Sequence, residues 1–139
     1  KQILIFLDHF FQLMYIPYLI YKSFGEFMKV YAQALDLIDD KKLIKEYENY
    51  HKNVWPEVLD GIKSTGIIRM RIWRINNRLF MLIETSDKFD VTKFQNYTKT
   101  NPKAKEWDEL MKKYQKKVPN SNGAWWSEMK LAFDSDWNI

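Results

Sequence analysis

Residues 68–85 read IRMRIWRINNRLFMLIET, and this stretch decides the fold. Ile68, Met70 and Ile72 alternate with Arg69, Arg71 and Trp73, the period of a strand with two unlike faces. Asn76 and Asn77 tolerate positive φ and can close a tight turn, and Leu79 to Thr85 then returns as a second strand. A β-hairpin therefore stands in the middle of the chain.

Working toward the N-terminus, a helix is predicted from Leu43 to Gly66. Its apolar or aromatic positions (Ile44, Tyr47, His51, Val54, Trp55, Val58, Leu59, Ile62) recur at helical spacing. Asp39 and Asp40 are placed to cap it, Pro56 kinks or restarts it, and Gly66 ends it. Before it, Lys29 to Leu37 alternates as a strand, with Val30, Ala32 and Ala34 on one face and Tyr31, Gln33 and Leu35 on the other. After the hairpin, Lys88 to Tyr97 reads as a short helix. A second helix starts at Pro102 and carries Ala104, Trp107, Leu110, Met111 and Tyr114 on one stripe to about Val118. Pro119 to Gly123 is a polar loop, and Trp125 to Phe133 a final strand.

The order βαββαβ predicts a ferredoxin-like α+β domain over residues 28–139. Helices cover one face of such a sheet. The other is expected to present Tyr31, Arg71, Trp73 and Trp126, too aromatic a set for bare solvent. Two sheets packed face to face would hide it, so a homodimer of the dimeric α/β-barrel type is expected.

Residues 1–27, KQILIFLDHFFQLMYIPYLIYKSFGEF, are far more apolar than the rest. The longest uncharged run, His9 to Tyr21, falls short of the ~20 residues of a membrane span. No Ala-x-Ala cleavage pattern follows Lys1. This part reads as an N-terminal extension outside the catalytic domain, with Met28 as the natural start and a membrane-associating helix as the lesser reading.

Composition excludes several chemistries. The 139 residues carry a net charge of +4, mixed along the chain, which favours solubility over nucleic-acid binding. The basic run Lys112 to Lys117 is expected in the last turn of a helix, where cations complement the dipole. Cysteine is absent, which removes disulfides and thiolate nucleophiles and suits a reducing, cytoplasmic setting. Two histidines, His9 and His51, and no carboxylate cluster argue against a metal centre. Gly25, Gly61, Gly66 and Gly123 are too scattered for a nucleotide-binding loop.

The segment EYENYHKNVWPE, Glu46 to Glu57, concentrates the candidate chemistry. Tyr47, His51 and Trp55 are spaced i, i+4, i+8 and share the buried face of their helix, expected opposite the small Ala32 and Ala34. On residues alone this stripe reads equally as packing around a satisfied histidine or as one wall of a pocket.

Tyr-x-x-x-His followed by Trp55-Pro56-Glu57 resembles the L-rhamnose mutarotase family. So do Asn77-Arg78-Leu79-Phe80, Asn101-Pro102, Glu106-Trp107 and the closing Trp126-x-x-Met-x-x-x-Phe133, all in the same order. The resemblance covers residues 28 to about 134. It implies interconversion of the α and β anomers of a 6-deoxy hexose, L-rhamnose or L-fucose, with His51 as proton donor and Tyr47 as a substrate contact. It also implies that Trp107 lines the pocket and that no cofactor takes part. Histidine, with an ordinary pKa near 6.5, can play acid or base at neutral pH, and such catalysis supplies about 10² to 10⁴ in rate. Trp55 and Trp107 could stack on the apolar face of the sugar. Met70 and Asp108 stand where the family often has aromatic residues; Met70 could pack on the sugar methyl and Asp108 bond a hydroxyl. Two other users of the fold compete: a haem- or oxygen-dependent small monooxygenase, and a non-catalytic dimeric binding module.

Overall fold

The computed structural model describes residues 28–121 and 124–136. The expected N-terminal extension lies outside the described residues. The elements are β1 (Lys29–Leu37), α1 (Lys41–Lys52), α2 (Pro56–Ser64), β2 (Ile67–Ile75), β3 (Arg78–Thr85), α3 (Val91–Thr100), α4 (Pro102–Lys112), β4 (Gln115–Lys116) and β5 (Ser127–Glu128). Three helices begin at side-chain caps: Asp40, Asp90 and Asn101 each accept two backbone N–H bonds from the first turn that follows. Pro56 opens α2, where its missing N–H costs nothing, so the long helix is restarted and not merely bent.

The strands form one antiparallel sheet in the order β2-β3-β1-β4, with β5 also on β1. This is the ferredoxin-like arrangement. Asn76 takes a φ of 51° in the β2–β3 turn. Across β1 and β3, Asp36 faces Arg78, and its two carboxylate oxygens accept from Nε and an Nη at 2.8 and 3.0 Å.

Leu35 and Leu37 have no solvent exposure and set the phase of β1. Alternation then places Tyr31 and Gln33 beside them under the helices, with Ile72, Leu79, Met81 and Ile83 from the neighbouring strands. Two expectations are thereby corrected. Tyr31 and Trp126 pack into the helix-covered core, not onto the open face, while Ala32 and Ala34 lie opposite Leu82 and Phe80 on the open face. That face still carries Trp73 stacked on Phe80 (5.5 Å between centroids) and Arg71 over Trp73, with Arg71 paired to Glu84 at 3.0 Å.

Four boundaries also differ. A bulge between Ile67 and Arg69 buries Ile67 and turns Ile68 outward, against the simple alternation. The Asp90 cap moves the start of α3 to Val91. Helix α4 stops at Lys112 because the chain leaves it to meet the edge of β1: Ile38 N–H donates to Tyr114 O at 2.8 Å, and Gln115 and Lys116 pair with Leu37 and Asp36. Most of the basic run therefore follows the helix. The final strand shrinks to Ser127–Glu128, after which Met129 N–H donates to Ala32 O at 2.8 Å and Leu131 and Phe133 lie exposed.

Candidate active site

Between the helices and the covered face of the sheet lies a cleft of about 690 Å³. Tyr47 and His51, one turn apart on α1, form part of its wall together with Trp107 and Asp108 of α4 and Met70 of β2. Spacing by four on a helix brings the first two rings together, with centroids 4.1 Å apart and planes tilted by 34°. The His51 ring meets Trp107 edge-on at 5.5 Å. Trp55 stands off the cleft wall: it backs Trp107 at 5.3 Å, with the Lys103 ammonium 5.2 Å from its own ring centre.

His51 Nδ1 lies 3.0 Å from the Tyr47 carbonyl oxygen one turn earlier. A carbonyl can only accept, so Nδ1 carries the proton and Nε2 keeps its lone pair in the neutral ring. Burial lowers the imidazole pKa below its ordinary value, and the carbonyl partly opposes that shift. The ring is accordingly neutral and basic at Nε2 near pH 7.

Tyr47 is 3% exposed, and burial pushes its phenol far above the usual tyrosine range. Gln115 lies beside the phenol oxygen and acts the other way, more weakly than burial, but no hydrogen bond of good geometry closes, and the oxygen is buried without a partner. The phenol therefore stays protonated, a donor and acceptor and not a proton carrier at neutral pH. Asp108 Oδ2 accepts from Lys112 Nζ at 2.6 Å across one turn. Its charge, after burial, raises the pKa of Tyr97 on the facing helix.

The rest of the wall is largely apolar and includes Ile72, Met81, Met111 and Trp126. Trp126, Gln33 and Gln115 were not foreseen as wall residues. Trp126 and Gln33 were legible only once the phase of β1 was known, and Gln115 only once the end of α4 was known. Among the described residues no group of three or more His, Cys, Asp or Glu side chains is gathered as a metal site.

The arrangement pairs a neutral base with an un-ionised phenol in a cleft whose floor suits an apolar group. Such a site can move a proton on a small polyhydroxylated molecule without ionising its own phenol.

The sequence model of L-rhamnose mutarotase matches residues 30–135. A UPF0734 protein of Dictyostelium discoideum is 51% identical over 114 residues, covering 78% of this chain and 91% of its own. An L-fucose mutarotase of Xanthomonas campestris pv. campestris is 35% identical over 109 residues, covering 76% and 87%. Among solved structures, an L-rhamnose mutarotase of Formosa agariphila superposes with a TM-score of 0.57 at 21% identity, over 76% of this chain and 97% of that one. The tetracenomycin F2 cyclase of Streptomyces glaucescens, a type-II polyketide cyclase, shares the fold at a TM-score of 0.50 and 15% identity, over 77% and 98%.

Proposed function

Because the chain belongs to the L-rhamnose mutarotase family and is a sugar mutarotase, we propose that it acts on a 6-deoxy hexose, L-rhamnose or L-fucose, with His51 as the proton carrier. The observation that carries this reading is the His51 Nδ1 bond to the Tyr47 carbonyl, which leaves Nε2 free to take a proton.

Nε2 accepts the proton of the anomeric hydroxyl. The O1–H electron pair becomes the second bond of C1=O1 as the C1–O5 bond breaks, and the imidazolium returns the proton to O5. Both oxygens sit on the same carbon, so one nitrogen can serve each in turn. Rotation about C1–C2 in the open chain presents the other face of the aldehyde, and the reversed steps close the ring on the opposite anomer. Burial keeps Tyr47 protonated, so it holds a hydroxyl and leaves proton transfer to His51. The Trp107 ring, braced by Trp55, takes the C–H face of the sugar. Met70 and Met81 accept the methyl, and Asp108 accepts a hydroxyl beside its bond to Lys112.

Two sheets joined through Trp73, Phe80 and Arg71 form the expected homodimer, a reading supported by the aromatic character of the open face. No described helix is long and apolar enough to cross a membrane. The absence of cysteine supports placing the reaction in the cytoplasm.

Saturation-transfer NMR between the anomers of L-rhamnose and of L-fucose tests the proposal. The protein is expected to accelerate exchange of at least one sugar, and His51→Ala to lower that acceleration about 10² to 10⁴-fold. No acceleration of either sugar refutes the substrate class. Full acceleration by the variant refutes the role of His51.

A further inference from the structure

Gln33 occupies the middle of β1, on the covered face of the sheet, paired in register with Met81 of β3 and Glu128 of β5. It forms part of the cleft wall, among Met81, Ile72 and Trp126. Its Oε1 is buried and bonds to nothing among the described residues. An amide oxygen without a partner destabilises the empty protein, and a methionine here would fill similar space without that cost. The wall holds a second buried oxygen without a closed hydrogen bond, that of Tyr47, although Gln115 lies beside it. Two unsatisfied polar groups in an apolar wall mark a place prepared for a hydroxylated ligand.

We propose that Gln33 is a substrate-positioning side chain, whose amide holds a ring hydroxyl other than the anomeric one. This rests on the sugar reading above and extends it. A side-chain amide suits the task because rotation about its last bond presents either a donor or an acceptor to a hydroxyl, which can play both parts itself. Its backbone is held between β3 and β5, so the amide is fixed on a rigid strand while α1 supplies His51. A site built to bond a hydroxyl rejects the analogue that lacks it, since the protein group is then left unpaired.

The test is Gln33→Met, with Gln33→Leu as a second variant, assayed by anomer exchange on the better sugar and on its 2-, 3- and 4-deoxy derivatives. The expected result is a Tm equal to or above that of the wild type, a KM raised about tenfold and a kcat little changed. One deoxy sugar should lose rate with the wild type and lose no more with the variant. A KM within about twofold of wild type overturns the proposal. A lowered Tm in both variants also overturns it, because the oxygen is then satisfied in the empty protein, by bound water for instance. If the wild type accelerates no sugar, the substrate reading fails first and takes this inference with it; acceleration by the wild type with unaltered KM in the variants defeats this inference alone.

Discussion

As the pH falls from 8, the first group of the mechanism to take up a proton is the imidazole of His51. An exposed histidine is half protonated at its ordinary value of 6.5, and burial in the cleft holds His51 below that value. If Nε2 is the base, kcat/KM is flat at neutral pH and falls tenfold per unit only below the lowered pKa. At pH 6.5 the enzyme should therefore retain more than half of its plateau activity, where an unperturbed imidazole would retain half. The assay is anomer exchange by NMR at a series of pH values, with the proton-catalysed background subtracted. Stability should follow the same group. The unfolded chain binds the proton more readily than the folded one, so stability falls as the pH drops through the window between the two pKa values. The slope there is at most about 1.4 kcal/mol per pH unit. Urea unfolding at pH 7 and pH 5 should show this loss in the wild type and a smaller one in His51→Gln. An activity midpoint at or above 6.5 would refute the lowering of the His51 pKa by burial and the flat neutral plateau drawn from it.

Other substitutions probe the rest of the site and its frame. Tyr47→Phe removes a buried oxygen with no partner, so stability should hold or rise by about 1 kcal/mol while kcat/KM falls roughly tenfold with an unaltered pH profile; a clear loss in urea midpoint would mean the oxygen is bonded in the native state. Gly66→Ala should cost at least about 1–3 kcal/mol, because Gly66 holds a φ of +93° and an added Cβ would lie 2.6 Å from Phe89 Cα. Trp73→Asp puts a charge on the open sheet face and should shift sedimentation from dimer to monomer, whereas an unchanged sedimentation coefficient contradicts the proposed pairing.

The hairpin and the two helical stripes were legible because their periods differ, two residues against three to four. Tyr47, His51, Trp107, Met70 and Asp108 were expected to meet in one cleft, and in the structure they line it. The faces of β1 were harder. Tyr31, Gln33 and Leu35 were grouped correctly, but the small Ala32 and Ala34 looked like room for the helix rings, whereas the full burial of Leu35 and Leu37 turns the strand the other way. That one inversion displaced Tyr31 and hid Gln33 from view. The end of α4 departs from the sequence expectation because Lys112 to Lys117 has good helix-forming residues and no breaker. Pairing with the free edge of β1, a contact distant in sequence, overrides that local preference. The i, i+4, i+8 stripe breaks because α1 ends at Lys52, capped by Asn53; Trp55 lies beyond it and braces Trp107 instead of reaching the cleft.

The bond from His51 Nδ1 to the Tyr47 carbonyl never leaves its own helix. The tautomer that readies the base is therefore set by five consecutive residues, whatever the opposite wall carries. Side chains on the sheet and on α4, such as Gln33, Met70 and Asp108, can be exchanged without disturbing that bond. Substrate choice and proton chemistry are in this sense separately mutable. A lineage could drift from one deoxy sugar to another, or an engineer could steer it there, while the acid–base unit on α1 is inherited intact.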